Sequence, residues 1–185
     1  MCPLLNDDQH LIDRIKTGDE EALQKLIATH SPRLFRVIQR VVVDNAEAEV
    51  ILQETFWKFW QSLSKYQNDR PVYPYLVTIA VNLVRDQWRA GQRLADEDLT
   101  GEAVQVADSA PLPEYQVEQA ELLQALAEAV ADLPESYRMA IALRYDASLS
   151  YEEIAEILKI NINTVRTHLR RSKEILRARI EETYG

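Results

Sequence analysis

The residues best suited to hold a ligand in this 185-residue chain are cations: Arg166, Arg170, Lys173 and Arg177, spaced i, i+4, i+7, i+11. That spacing lines one side of a helix. Four like charges on one stripe repel unless an anion lies against them, so the chemistry predicted is binding of a polyanion rather than making or breaking of bonds. Groups for bond chemistry are not brought together anywhere. His10, His30 and His168 lie in unrelated segments, so neither a metal site nor a nucleophile–base–acid triad is apparent. Carboxylate pairs such as Glu152–Glu153 suit helix N-termini. No enzymatic activity and no cofactor is expected. The lone Cys2 cannot form an internal disulfide and has no activating neighbour.

Two elements must position the basic stripe. Ser150 followed by Glu153 forms a capping-box pattern, so a short helix starts there with Ile154, Ala155 and Leu158 on one face. Lys159–Ile160–Asn161 breaks the period. Asn161 is a good N-cap for a second helix, whose apolar side is Val165, Leu169, Ser172 and Leu176. Capping box, short helix, tight turn and basic helix, in that order, give the geometry of a helix-turn-helix that lays its second helix in a DNA major groove. An ordinary helical hairpin with a solvated basic face is the competing reading of the spacing alone.

Whole-chain charge does not oppose DNA binding. The formal charge is −9, but it is unevenly spread. Residues 1–92 hold 11 Lys/Arg and 12 Asp/Glu, and residues 93–136 hold 1 and 11. Residues 137–185 hold 9 and 7, so the end carrying the stripe is net basic. The chain is 46% hydrophobic with four glycines, and helical periods dominate, which predicts an all-α protein of one or two small domains. No apolar run approaches the roughly 18–20 residues of a membrane span, and Met1–His10 has no export-signal pattern. A cytoplasmic location is therefore expected.

In chain order, Leu11, Ile12 and Ile15 open a helix that Gly18 ends. Leu23, Leu26 and Ile27 face the core of the next. Ser31–Pro32 predicts a fresh start at N-cap and N1, followed by Leu34, Val37, Ile38 and Val41. A long helix follows from about Ala46 to Leu63, with Leu52, Phe56, Phe59 and Leu63 as its core face. Trp57 and Trp60 belong either to the rim of that core or to a partly exposed surface, with plain packing the expected role. Ser64 to Tyr73 reads as a polar loop. Helix returns from Tyr75 to Arg89, burying Leu76, Ile79, Ala80, Leu83 and Val84. Residues 93–113 lack a helical stripe and read as a flexible acidic linker, long enough at 21 residues to reach about 70 Å when extended. A helix from Glu114 to Ala131 on Val117, Leu123, Leu126 and Val130 and another from Glu135 to Tyr145 precede the helix-turn-helix. The expected domains are thus residues 1–92 and 114–185.

Two sets of segments carry a family resemblance. LPESYRMAIALRY with LSYEEIAEILKININTVRTHLRRSKEIL resembles the promoter-binding region 4 of the extracytoplasmic-function (ECF) sigma factors. TGDEEALQKL, AEVILQETFWKFW and PYLVTIAVNLVRDQWR resemble the polymerase-binding and promoter-melting region 2 of the same sigma-70 family. The resemblance covers nearly the whole chain apart from the linker. It implies a subunit of bacterial RNA polymerase that directs promoter-specific initiation. By the match, Glu49, Gln53 and Glu54 face the polymerase clamp helices. Tyr66, Asn68 and Arg70 would capture a flipped minus-10 base, with Asn82, Arg85 and Arg89 following the strand. Asn163, Arg166, Thr167 and Arg170 would read the minus-35 element, with Arg171 and Lys173 on phosphates. An anti-sigma partner is implied as well.

The sequence departs from the family pattern at four of these places. Val50 stands where aspartate is common, Val81 where a basic residue precedes Asn82, Lys159 where the turn has glycine, and His168 where arginine is common. Lys159 requires a left-handed backbone or a different turn. Two other readings stay open. TVRTHL also resembles the recognition helix of LuxR-type operator-binding regulators, which have no use for the aromatic segment 46–75. A sigma mimic that sequesters an anti-sigma factor is the other, and the basic stripe argues against it.

Overall fold

The computed structural model describes residues 3–42, 44–66, 71–97 and 114–184, and they form helices and turns without a strand. The chain divides into two compact units, Met1–Leu94 and Ala95–Gly185.

In the first unit, α1 (Pro3–Lys16) ends at a turn where Gly18 takes φ +92°. Asp19 then caps α2 (Glu20–Val41), its carboxylate accepting from the Ala22 N–H at 3.1 Å and from Arg14 Nε at 2.8 Å. Those two contacts hold the Asp19 carboxyl below its usual pKa, the backbone bond first. Asp44 caps α3 (Asn45–Ser62) by accepting from Ala46 and Glu47. A single 3₁₀ turn, Leu63–Lys65, follows α3, and α4 runs Val72–Glu97. Helix α4 packs on α2 through Tyr73, whose ring stacks on His30 and lies under the Arg33 guanidinium. It packs on α3 through Tyr75, edge-on to Phe59 and hydrogen-bonded to Ser62 Oγ at 3.0 Å.

Several sequence expectations change here. Pro32 does not restart a helix; it sits inside α2. Pro32 has no N–H to offer the Ala28 carbonyl, yet Leu26, Leu34, Val37, Ile38 and Val41 are all buried along one continuous face. Burial of that face outweighs one lost backbone bond. The buried face of α3 is Ala48, Ile51, Thr55, Phe56 and Phe59, with Leu52 only half-buried. The core stripe is therefore turned by one residue at its start. Helix α4 passes the expected stop at Arg89, so residues 93–97 are helical and not linker. The remainder of the expected linker, 98–113, lies outside the described residues.

In the second unit, α5 (Glu114–Ala131) buries Ala129 and Val130 at its end, whereas Leu123 is 66% exposed and Leu126 is exposed too. Of the described side chains in the expected stripe, Val130 alone is buried; the Val117 side chain lies outside the described residues. Leu133 and Pro134 turn the chain into α6 (Glu135–Ile141), which continues as a π-helical turn, Ala142–Asp146. The helix-turn-helix consists of α7 (Tyr151–Leu158) and α8 (Ile162–Tyr184). Ile154, Ile157 and Leu158 of α7 are buried with Val165, Leu169 and Ser172 of α8 and with Met139 to Leu143.

Candidate nucleic-acid interface

The turn geometry of the helix-turn-helix follows from its own residues. Ser150 Oγ accepts from the Glu153 N–H at 3.2 Å while Glu153 Oε2 accepts from the Ser150 N–H at 2.7 Å, completing the capping box. Lys159 takes φ 54°, ψ 44°, the left-handed conformation that the missing glycine required. Its N–H and that of Ile160 close the end of α7 onto Glu156 and Ala155. Asn161 Oδ1 accepts from the Asn163 N–H at 2.8 Å and starts α8.

Burial of Val165, Leu169 and Ser172 fixes which side of α8 faces outward. Asn163, Arg166, Arg170, Arg171 and Lys173 are exposed, and Thr167 is half-buried. Local bonds restrain most of this set. Arg166 Nη1 donates to Asn163 Oδ1 at 3.1 Å, and Thr167 Oγ1 to the Asn163 carbonyl at 2.9 Å. Arg171 Nη1 reaches the Tyr137 hydroxyl at 3.3 Å, and Lys173 Nζ lies 5.7 Å over the Tyr145 ring. Those tyrosine hydroxyls stabilise the charged forms, raising the pKa of Arg171 and of Lys173 above the ordinary values. The stripe needs no external anion to exist. Arg170 pairs with Glu174 at 2.8 Å and Arg177 with Glu181 at 3.4 Å. These carboxylates, at i+4 on the same helix, offset the repulsion expected within the stripe.

His168 points inward. Its ring packs 5.1 Å from Tyr137, and its buried Nδ1 has no hydrogen-bond partner. Burial, with help from Arg171, lowers its pKa from the ordinary 6.5.

In the first unit the proposed strand-following residues fall at the solvent side of α4: Asn82 and Arg89 are exposed and Arg85 is half-buried. Arg89 pairs with Asp86 at 3.0 Å. Burial lowers the Arg85 pKa, with Arg89 adding to the shift. Asn82 lines an open groove of ≈ 230 Å³ with Lys58, Ser62, Tyr75, Ile79 and Leu83. Lys58, Ser62 and Tyr75 were missed from sequence; the i, i+4, i+7 spacing of Tyr75, Ile79 and Asn82 was the available signal. Tyr66 is only 6% exposed, held between Phe59 and Tyr75. Its ring supports the aromatic cluster and is not presented as a stacking wall. Asn68 and Arg70 lie outside the described residues. Val81 is buried, which accounts for the absence of a basic residue there.

On α3, Glu49 and Gln53 are exposed and Glu54 is half-buried and paired with Lys58 at 3.3 Å. Trp57 and Trp60 are 57% and 48% exposed and stack on each other at 5.3 Å. Packing into the core, their expected role, does not occur because Phe56 and Phe59 already occupy the inward positions. With Leu23, Ile27, Gln53 and Phe56 the tryptophans border an apolar groove of ≈ 310 Å³. Val50 on the same helix is also exposed. Among the described residues no His, Cys, Asp or Glu cluster could hold a metal, and no helix is long and apolar enough to cross a membrane.

The two units match two family models in order, Sigma-70 region 2 over residues 26–94 and Sigma-70, region 4 over residues 123–176. The RNA polymerase sigma-H factor of Pseudomonas aeruginosa is 30% identical, with 91% of each chain covered. The ECF RNA polymerase sigma factor SigW of Bacillus subtilis is 31% identical over 92% of this chain and 95% of the relative. The ECF RNA polymerase sigma-E factor of Escherichia coli is 32% identical with 94% of each covered. Among solved structures, RpoE of Bartonella quintana in complex with the anti-sigma factor NepR superposes with a TM-score of 0.69 at 23% identity, covering 85% of this chain and 96% of that one. CnrH in complex with the cytosolic domain of CnrY gives 0.68 at 21%, covering 97% and 99%. At those identities the structures speak for the fold. The sequence relatives, covered nearly end to end, and the paired region matches show that the chain belongs to the ECF sigma factors of the sigma-70 family.

Proposed function

We propose that the chain binds core RNA polymerase through α3 and directs initiation at promoters that α8 reads at the minus-35 element. One observation carries the reading: the capping box, the left-handed Lys159 and the buried Val165–Leu169–Ser172 side together turn Asn163, Arg166, Thr167 and Arg170 outward on one helix face. An arginine there discriminates a guanine edge by roughly 1–3 kcal/mol, and Arg171 and Lys173 at the flanks serve as phosphate contacts. The domain matched to region 2 supplies the rest. Glu49, Gln53 and Glu54 meet the clamp helices, and the exposed Trp57–Trp60 pair adds the apolar anchor that such an interface needs. The Asn82 groove, with Asn68 and Arg70, holds the opened minus-10 strand, Arg85 and Arg89 follow its backbone, and Tyr66 supports the groove through its contact with Tyr75.

The chain performs no bond chemistry; its work is differential binding of closed and open promoter. It acts in the cytoplasm, where polymerase and DNA are, and an anti-sigma partner is proposed by analogy with the complexes named above. The operator-binding regulator is disfavoured because the region 2 match leaves its first unit unexplained, and the mimic because α8 keeps an outward DNA-reading face. In-vitro transcription with sigma-free core polymerase and a library of genomic promoter fragments tests the proposal. Wild-type chain should give saturable, fragment-specific transcripts, and Arg166→Ala should lose those that depend on the minus-35 element while still binding polymerase. Loss of polymerase binding by folded Arg166→Ala chain would overturn the division of labour.

A further inference from the structure

We propose that Glu174 sets how sharply α8 distinguishes its promoter element from bulk DNA, by holding Arg170; this rests on the DNA-reading role given to α8 above. Glu174 Oε1 accepts from Arg170 Nη1 at 2.8 Å, with both side chains more than half exposed. Its charge also acts on Arg171, one residue further round the helix. Glu174 therefore lies between a base-reading arginine and a phosphate-binding one. It occupies one N–H of a guanidinium that has five.

The consequences differ for the two kinds of DNA. A phosphate offers Arg170 only charge, and to take it the arginine must leave Glu174 or bring the carboxylate close to a second anion. A guanine edge offers two acceptors in the plane of the guanidinium fork, so Arg170 can donate its free N–H groups there while Nη1 stays on Glu174. The carboxylate thus penalises backbone contact and steadies the fork for base contact. Arg177 and Glu181 repeat the pair at 3.4 Å beyond the region 4 match, away from the base-reading residues. They serve as the internal control for simple loss of negative charge.

The test uses holoenzyme and two duplexes of equal length: one carrying the upstream element of a promoter found by the transcription assay, the other of scrambled sequence. Kd is measured against salt concentration for wild type, Arg166→Ala, Glu174→Gln, Glu181→Gln, Arg170→Ala and the double variant Arg170→Ala/Glu174→Gln. Glu174→Gln should tighten binding to the scrambled duplex about twofold and steepen its salt dependence by about 0.9, one phosphate contact. Binding to the promoter duplex should tighten less, so the specificity ratio falls. Glu181→Gln should leave the ratio unchanged, and the Glu174→Gln effect should vanish in the Arg170→Ala background. Equal shifts from Glu174→Gln and Glu181→Gln, or an effect that survives without Arg170, overturn the proposal for Glu174 alone. If wild-type holoenzyme fails to prefer the promoter duplex, or Arg166→Ala and Arg170→Ala both leave that preference intact, the DNA-reading role of α8 falls first and Glu174 with it.

Discussion

Replacing Trp57 by alanine is the most informative change in the first unit. Its side chain is 57% exposed although it belongs to a helix whose other aromatics, Phe56 and Phe59, are buried. A tryptophan carries up to about 250 Å² of surface, so somewhat over half of that, about 140 Å², is available to a partner. At about 25 cal/mol per Å² its complete burial would contribute about 3.5 kcal/mol. Ordering and incomplete coverage remove a good part of this, and about 2 kcal/mol is expected to remain, about 30-fold in Kd. Folding should suffer too, because the fold loses the stacking on Trp60 and the roughly 110 Å² of the side chain already buried, about 2–3 kcal/mol at the same coefficient. The assay is a titration of labelled chain with core polymerase, using Trp57→Leu as a variant that keeps apolar area, with circular dichroism to confirm the helical content of both. The expected order of affinity is wild type, then Trp57→Leu, then Trp57→Ala. A folded Trp57→Ala chain that bound polymerase as tightly as wild type would refute the assignment of the α3 surface.

Further outcomes concern the second unit. Ser150→Ala removes an N-cap and leaves Glu153 without its reciprocal partner, and should destabilise the unit by about 1 kcal/mol in urea unfolding; an unchanged midpoint would mean the box contributes nothing. Lys159→Gly releases a left-handed lysine that costs roughly 1–2 kcal/mol, offset by about 0.5–1 kcal/mol of backbone entropy, so the midpoint should rise slightly. A drop there would show the turn to be relaxed with lysine. His168 has its folded pKa below the ordinary 6.5, so the unfolded chain binds the extra proton first. The stability linked to His168 is present above 6.5 and declines as pH falls through the window beneath it. His168→Gln should flatten that decline in urea midpoints taken on either side of pH 6.5, and an identical pH dependence in the variant would contradict the buried-ring account.

What the sequence determined by itself was local. Capping at Ser150 and Asn161, the break at Lys159 and the apolar side of α8 depend on residues three or four apart, so they were readable and they reappear in the structure. The all-helical class and the outward basic residues of α8 follow from the same short-range periods. Tertiary structure decided the rest wherever a position had more than one locally acceptable state. Pro32 locally favours a helix start and costs about 3 kcal/mol inside a helix, and only the continuous buried face of α2 selects the second. On α3, a helix with apolar residues on more than one side, no period says which ring goes inward; Phe59 against Tyr66 and Tyr75 settles it and leaves Trp57 and Trp60 outside. Tyr66 looked like loop chemistry until the same cluster enclosed it. Leu123 and Leu126 made a stripe in sequence, but a stripe is buried only where another element covers it. The physical reason is common to these cases: capping and periodicity are properties of one segment, whereas burial is a property of two surfaces that meet.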